Sequence, residues 1–221
     1  MGRRLLGAVA LSVVLLLSAC TSSADGSGAP VSGVTVEDAD GLHGAVLPTP
    51  YDVPRTALEA TDGSTYDLVR DATAPLTIVF FGYTHCPDIC QLVMADVASA
   101  MTRLDADQRS QVDMLFVTTD PARDDARVLR QYLDRFDPAF EGLTGPLPAI
   151  VEAGTALGVP IEEGERLPTG GYEVAHGTQL VGLLPDGTAP VVWTEGTPAG
   201  DLAADVGSIL RDGVVDLEPD Q

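Results

Sequence analysis

The chain has 221 residues, 33 Asp and Glu against 12 Arg, no Lys, and a formal net charge of −21. A surface this acidic repels nucleic acid and anionic lipid headgroups, which excludes both as ligands, and it attracts cations and basic partner surfaces. A salt-rich habitat or biased genome composition produces the same charge, so it names no function by itself.

Arg3 and Arg4 open the chain, Leu5 to Leu17 is almost unbroken apolar sequence, and Ser18-Ala19-Cys20 follows. This reads as a secretory signal over residues 1–19. An uncleaved membrane anchor is the alternative, but the apolar stretch falls short of the roughly 20 residues that a spanning helix needs. Leu17-Ser18-Ala19-Cys20 resembles the bacterial lipobox. That resemblance implies cleavage before Cys20, a lipid on its sulfur, and a protein held at the outer, extracytoplasmic face of the cytoplasmic membrane. Cleavage removes Arg3 and Arg4 and no acid, which takes the net charge from −21 to −23. Residues 21–40 are mostly Ser, Gly, Asp, Ala and Val. They cannot bury enough apolar surface to fold alone and read as a flexible tether with an end-to-end distance of about 25 Å.

Residues 41–212 suit one domain, followed by an acidic tail over 213–221. His43, at the edge of the tether, reads as a solvated surface residue. Thr61-Asp62-Gly63-Ser64 between alternating segments predicts a hairpin over 56–69. Leu76 to Tyr83 is apolar and rich in β-branched and aromatic residues, as in a buried strand. Ile89, Val93, Val97, Met101 and Leu104 then recur at helical spacing, and Pro87 suits the first helical position. Val112 to Thr118 predicts a second buried strand. Asp124 to Phe136 predicts a helix, 140–143 a short strand, and 147–157 a helix ended by Gly158. Residues 159–175, rich in Gly, Pro and Glu, read as a long flexible loop. Thr178 to Leu184 and Val191 to Thr194 predict a hairpin turning at Pro185-Asp186-Gly187, and 201–211 a closing helix. Alternating strands and helices predict an α/β fold, a central mixed sheet flanked by helices. The order is thioredoxin-like, with an added N-terminal hairpin and an insertion before the last hairpin.

Cys86-Pro87-Asp88-Ile89-Cys90 falls at the junction of the first central strand and its helix, where such folds place their sites. Cys90 lies one turn beyond Cys86, and a helix N-terminus stabilises a thiolate. A purely structural disulfide here would contribute only about 2 kcal/mol, against ~4.7 for a 100-residue loop, and the turn reads as partly exposed. The pair therefore suits disulfide exchange or the binding of one soft metal ion. Three intervening residues, rather than two, carry Cys90 about 100° further round the helix and widen the sulfur–sulfur approach, which favours a metal without excluding a disulfide. Two thiolates want a third ligand. His176, after the long loop and before a strand, is the candidate, whereas His85 adjoins Cys86, points elsewhere and is placed to tune it. Two sulfurs and one imidazole suit Cu(I), while zinc would want a fourth donor.

The run from Phe80 to Cys90 resembles the signature of the Sco/SenC family. Further matches are Thr119-Asp120-Pro121-Ala122-Arg123-Asp124, Gly142-Leu143-Thr144-Gly145, and the His176 segment followed by Pro185-Asp186-Gly187. The resemblance covers roughly residues 45–212. It implies a thioredoxin-like fold and a membrane-tethered copper chaperone acting on the CuA site of cytochrome c oxidase. It also implies an upstream copper donor, a thiol reductant, and Cys86, Cys90 and His176 as the copper ligands. Thiol–disulfide exchange by Cys86 and Cys90 is a further implied activity. Ala175 stands where family members often carry Asp, and family members often carry Thr or Ser near Asp125 and Gly177. Two other readings remain open: a thiol–disulfide oxidoreductase without a metal, in which Cys86 attacks and Cys90 resolves, and a peroxidase. For the latter, only His85 and the helix terminus stand by to activate Cys86.

Overall fold

The computed structural model describes residues 41–166 and 172–214. The signal sequence, Cys20, the tether and nearly all of the acidic tail lie outside the described residues. In chain order the elements are β1 (Ala45–Asp52), β2 (Ala57–Ala60), β3 (Thr65–Asp67), β4 (Leu76–Gly82), α1 (Ile89–Met101), α2 (Ala106–Arg109), β5 (Val112–Thr118), α3 (Ala126–Leu133), β6 (Glu141–Thr144), α4 (Leu147–Ala156), β7 (Ile161–Arg166), β8 (Tyr172–His176), β9 (Leu180–Leu183), β10 (Thr188–Trp193) and α5 (Ala199–Asp212).

A mixed eight-stranded sheet runs β1-β10-β9-β4-β5-β6-β2-β3. Its centre is parallel, β4 against β5 and β5 against β6, and the flanking pairs are antiparallel. Strict alternation along β4 splits the core in two. Leu76, Ile78 and Phe80 pack with α1, α3 and α5, through Val93, Met94, Leu129, Leu133, Leu202 and Val206. Val79 and Phe81 pack on the opposite face with Ile150, Ala153 and Leu157 of α4 and its C-cap. Helices thus cover both faces. Burying each of these large side chains contributes about 1.5–3 kcal/mol, so β4, fully buried along its length, is the rigid post on which the thiol segment is mounted.

Three elements depart from expectation. β1 pairs with β10 through an irregular register between Val46 and Tyr51. Pro48 and Pro50 break its ladder there, which confines it to the sheet edge and hides it from pattern reading. The expected 159–175 loop is instead a separate antiparallel ribbon, pairing Ile161 with His176, Glu162 with Ala175 and Glu163 with Val174. Its Gly- and Glu-rich composition has little intrinsic strand preference, so cross-strand pairing makes this element. His176 therefore ends β8 and does not lead directly into the last hairpin. Finally, α1 begins at Ile89. Asp88 is the N-cap, its carboxylate accepting from the Ile89 N–H at 2.6 Å, and Pro87 stands before the cap.

His43 is tied down although half exposed, contrary to the solvated reading. The buried carboxylate of Asp205 on α5 accepts from the N–H groups of His43 (3.0 Å) and Gly44 (2.8 Å) and from Trp193 Nε1 (2.8 Å). His43 Nδ1 lies 2.8 Å from the same carboxylate. A Cβ on Gly44 would stand 2.5 Å from Trp193 Nε1, so only glycine permits this approach. The knot fastens the start of the domain to β10 and α5.

The hydrogen bond from Asp205 raises the His43 pKa above its ordinary 6.5, with lesser help from the charges of Asp205 and Asp201. A histidine whose pKa is raised on folding contributes stability that is fully present below 6.5 and lost as pH climbs through the raised value. Urea unfolding of the wild type between about pH 5.5 and 8.5 should therefore show a falling stability that His43→Ala flattens. Exposure keeps the effect below about 1 kcal/mol. At the end of β4, a Cβ on Gly82 would lie 2.8 Å from the Phe80 ring, 3.1 Å from Phe116 and 3.2 Å from Cys90 Sγ. Gly82→Ala should cost about 1–3 kcal/mol by overpacking, read as a lowered urea midpoint. An unchanged midpoint would mean that the strand end is slack.

Candidate metal centre

The turn Tyr83-Thr84-His85-Cys86 leaves β4 and is closed by the Cys86 N–H donating to the Tyr83 carbonyl at 3.2 Å. It delivers Cys86 Sγ to the open first turn of α1, where the Cys90 N–H donates to it at 3.4 Å. The sulfur takes one of the N–H groups that a helix start leaves without an intrahelical partner. Both residues are free thiols. Both are also buried, Cys86 at 6% and Cys90 at 0% exposure, where the sequence suggests a partly exposed turn. Aromatic packing closes the pocket: Tyr83 and Phe80 meet the His176 ring edge-on at centroid distances of 5.8 and 6.4 Å.

His176 Nε2 lies 3.9 Å from Cys90 Sγ. Its Nδ1 is 2.8 Å from the Gly177 carbonyl, an oxygen that can only accept. That contact assigns the proton to Nδ1 and leaves the Nε2 lone pair facing the sulfur. A metal about 2.3 Å from a thiolate and about 2.0 Å from an imidazole would hold the two donors about 3.5–3.7 Å apart at angles between tetrahedral and trigonal. The Cys90–His176 separation is within a few tenths of an ångström of that span. Among the described residues, no three His, Cys, Asp or Glu side chains are already gathered closely enough to hold an ion.

Burial sets the electrostatics. It pushes the Cys90 thiol well up, and the hydrogen bond with Cys86 and the charges of Cys86 and Asp124 add to this. Burial also lowers His176, outweighing the Gly177 hydrogen bond, and keeps the ring neutral. The neutral His176 ring is a donor without charge, and a cation that binds Cys90 Sγ must displace that thiol's proton.

His85 is exposed. Its Nδ1 lies 3.0 Å from Thr84 Oγ1 and 3.7 Å from Asp124 Oδ1, directed to the turn and not to the thiols. The sequence reading missed Asp124 itself, which is wholly buried and accepts from Thr84 N–H and Oγ1 at 2.9 and 2.6 Å. The run from Thr119 to Asp124 carries part of the family resemblance, but its last residue reads in sequence as the start of a helix. In the structure Asp125 is the N-cap of α3, and Asp124 turns inward. The buried carboxylate of Asp120 pairs with Arg123, whose guanidinium sits 5.9 Å over the Tyr83 ring. Tyr83 in turn abuts His176.

The family model described as SCO1/SenC matches residues 58–211. The chain is 35% identical over 119 residues to "Protein SCO2 homolog, mitochondrial" of Danio rerio, covering 53% of this chain and 43% of that protein. It spans about half the length, or less, of the curated relatives it matches. Among solved structures, apo Sco1 from Thermus thermophilus superposes with a TM-score of 0.67 at 26% identity, covering 80% of this chain and 99% of that one. Bradyrhizobium japonicum ScoI with copper bound gives 0.62 at 25% identity, covering 73% and 98%. The parallel β4–β5–β6 core, the Cys86–Cys90 helix start and a family match spanning β2 to α5 place this chain in the SCO1/SenC family, with its thioredoxin-like fold.

Proposed function

We propose that this protein is an extracytoplasmic copper carrier, lipid-anchored through Cys20, that binds one Cu(I) through Cys86, Cys90 and His176 and delivers it to the CuA site of cytochrome c oxidase. The observation that carries this reading is the neutral Nε2 of His176, turned to Cys90 Sγ at 3.9 Å with its other nitrogen engaged. Two sulfurs and one imidazole in a buried pocket favour a soft ion of low coordination number. Copper in the Bradyrhizobium relative supports the same cargo. Both thiols must lose their protons for the ion to enter, and the neutral histidine adds a donor without adding charge. Ribbon β7–β8, which carries His176 at its end, is the element whose displacement would release the ion. The strongly acidic chain favours a basic docking face on the acceptor and on the upstream copper donor.

A second reading rests on Cys86 Sγ accepting the Cys90 N–H. The Cys86 thiolate attacks a disulfide of the acceptor and forms a mixed disulfide with release of one acceptor thiolate. Cys90 then displaces the second, so the acceptor gains two electrons and the Cys86–Cys90 pair becomes a disulfide. A separate thiol reductant restores the pair. Copper binding needs the same reduced form, so the two activities share one starting state.

Metal analysis of the anaerobically reduced protein should find one copper per chain. Competition with a chromophoric Cu(I) chelator should show a loss of about tenfold or more for His176→Ala and a larger loss for Cys86→Ser or Cys90→Ser. Unchanged affinity in His176→Ala removes the imidazole from the ligand set. For the anchor, cells fed labelled palmitate should incorporate it into the wild type and not into Cys20→Ser. A labelled mutant would place the lipid elsewhere.

A further inference from the structure

Asp124 buries a carboxylate completely, although it belongs to no ligand set proposed above. Its Oδ2 accepts from the Thr84 N–H at 2.9 Å and from Thr118 Oγ1 at 2.8 Å, and its Oδ1 accepts from Thr84 Oγ1 at 2.6 Å. Its own carbonyl accepts from Thr144 Oγ1 at 2.9 Å. One residue thus ties together the turn after β4, the end of β5 and the end of β6. Stability alone is a poor reason for it, because a carboxylate removed from water costs several kcal/mol and apolar packing of the same volume commonly does as well. The distinctive feature is where its bonds go. Thr84 is the second residue of the four-residue turn that ends in Cys86, and Asp124 grips that residue by backbone and side chain together. The position of Cys86 Sγ on the Cys90 N–H depends on how that turn is set.

We propose that Asp124 is the positioning residue of the thiol pair: by holding Thr84 it fixes the approach of Cys86 to Cys90, and so governs both closure of the pair to a disulfide and capture of copper. The copper half rests on the reading under Proposed function, and the disulfide half does not. In the latter, Cys86–SH and Cys90–SH react with oxidised glutathione to give the protein disulfide and two reduced glutathiones. The equilibrium constant of that exchange measures how closely the fold presents the two sulfurs to each other.

The test uses the full chain in detergent with Cys20→Ser as background, so that Cys86 and Cys90 are its only thiols. Asp124→Ala should move the glutathione equilibrium by about tenfold or more, and Thr84→Val, which deletes one bond to the turn, by about threefold to tenfold. Asp124→Asn should stay within about threefold of wild type, because an amide keeps an oxygen for the Thr84 N–H and offers its own N–H to the Thr84 hydroxyl. Thr118→Val, which strips a donor from the same carboxylate without touching the turn, should also stay within about threefold. Cu(I) affinity should follow the same order. An unmoved equilibrium in Thr84→Val overturns the proposal even if Asp124→Ala fails to fold. So does Thr118→Val moving it as far as Thr84→Val, or Asp124→Asn behaving like the alanine variant. If the redox pattern holds while the wild type binds no copper, the copper reading fails and the positioning role stands.

Discussion

The hydrogen bond from the Cys90 N–H to Cys86 Sγ joins the two activities proposed for this molecule. It needs a helix start with a spare donor, a turn that brings a sulfur to it, and a strand rigid enough to aim that turn. Asp88 takes the Ile89 N–H and leaves the Cys90 N–H to the sulfur. Gly82 leaves room for Cys90 where β4 ends. β4 lies in the middle of the sheet and packs on both faces, so its end cannot drift. Sulfur geometry is thus inherited from the core and does not depend on a surface loop.

Burial then decides the charge state. Water is kept from Cys90 and from His176, so the neutral forms of that thiol and that ring are favoured. A neutral pocket lined by Phe80, Tyr83 and Phe116 has little use for a hard, strongly hydrated cation, whose ligands should be oxygen. The charge that does lie close by is negative: Asp120 and Asp124 are both buried beneath the turn. Asp120 is balanced by Arg123, whereas Asp124 is held mainly by hydroxyl and amide donors. The same device recurs where the chain enters the domain, where Asp205 gathers two backbone N–H groups, an indole and a histidine. In both places a buried carboxylate joins segments far apart in sequence.

Elements with a hydrophobic period were legible in the sequence. Leu76 to Gly82 and Val112 to Thr118 declare themselves as buried strands, and Val93, Val97 and Met101 mark the inner face of α1. The apolar run before Cys86 and the helical spacing after it place the thiol pair at a strand-to-helix junction from sequence alone. Elements made by pairing were not legible. β1 carries two prolines, and β7 is mostly Glu with a Gly, while the Gly- and Pro-rich run between β7 and β8 masks the short β8 strand, so their composition does not announce a pair of strands. Asp124 was hidden for another reason. An acid beside a helix start reads as part of that helix, and only the tertiary fold shows that Asp125 caps it while Asp124 faces inward.

The ribbon β7–β8 shares no strand pairing with the main sheet, yet His176 lies at its end. The two sulfurs are built into the core and the imidazole hangs from a side arm. In the copper site proposed above, displacing that arm would open one coordination position while leaving the pairing of the main sheet intact. An ion held in the proposed way would pass by ligand substitution, one bond at a time, without entering water as a free cation.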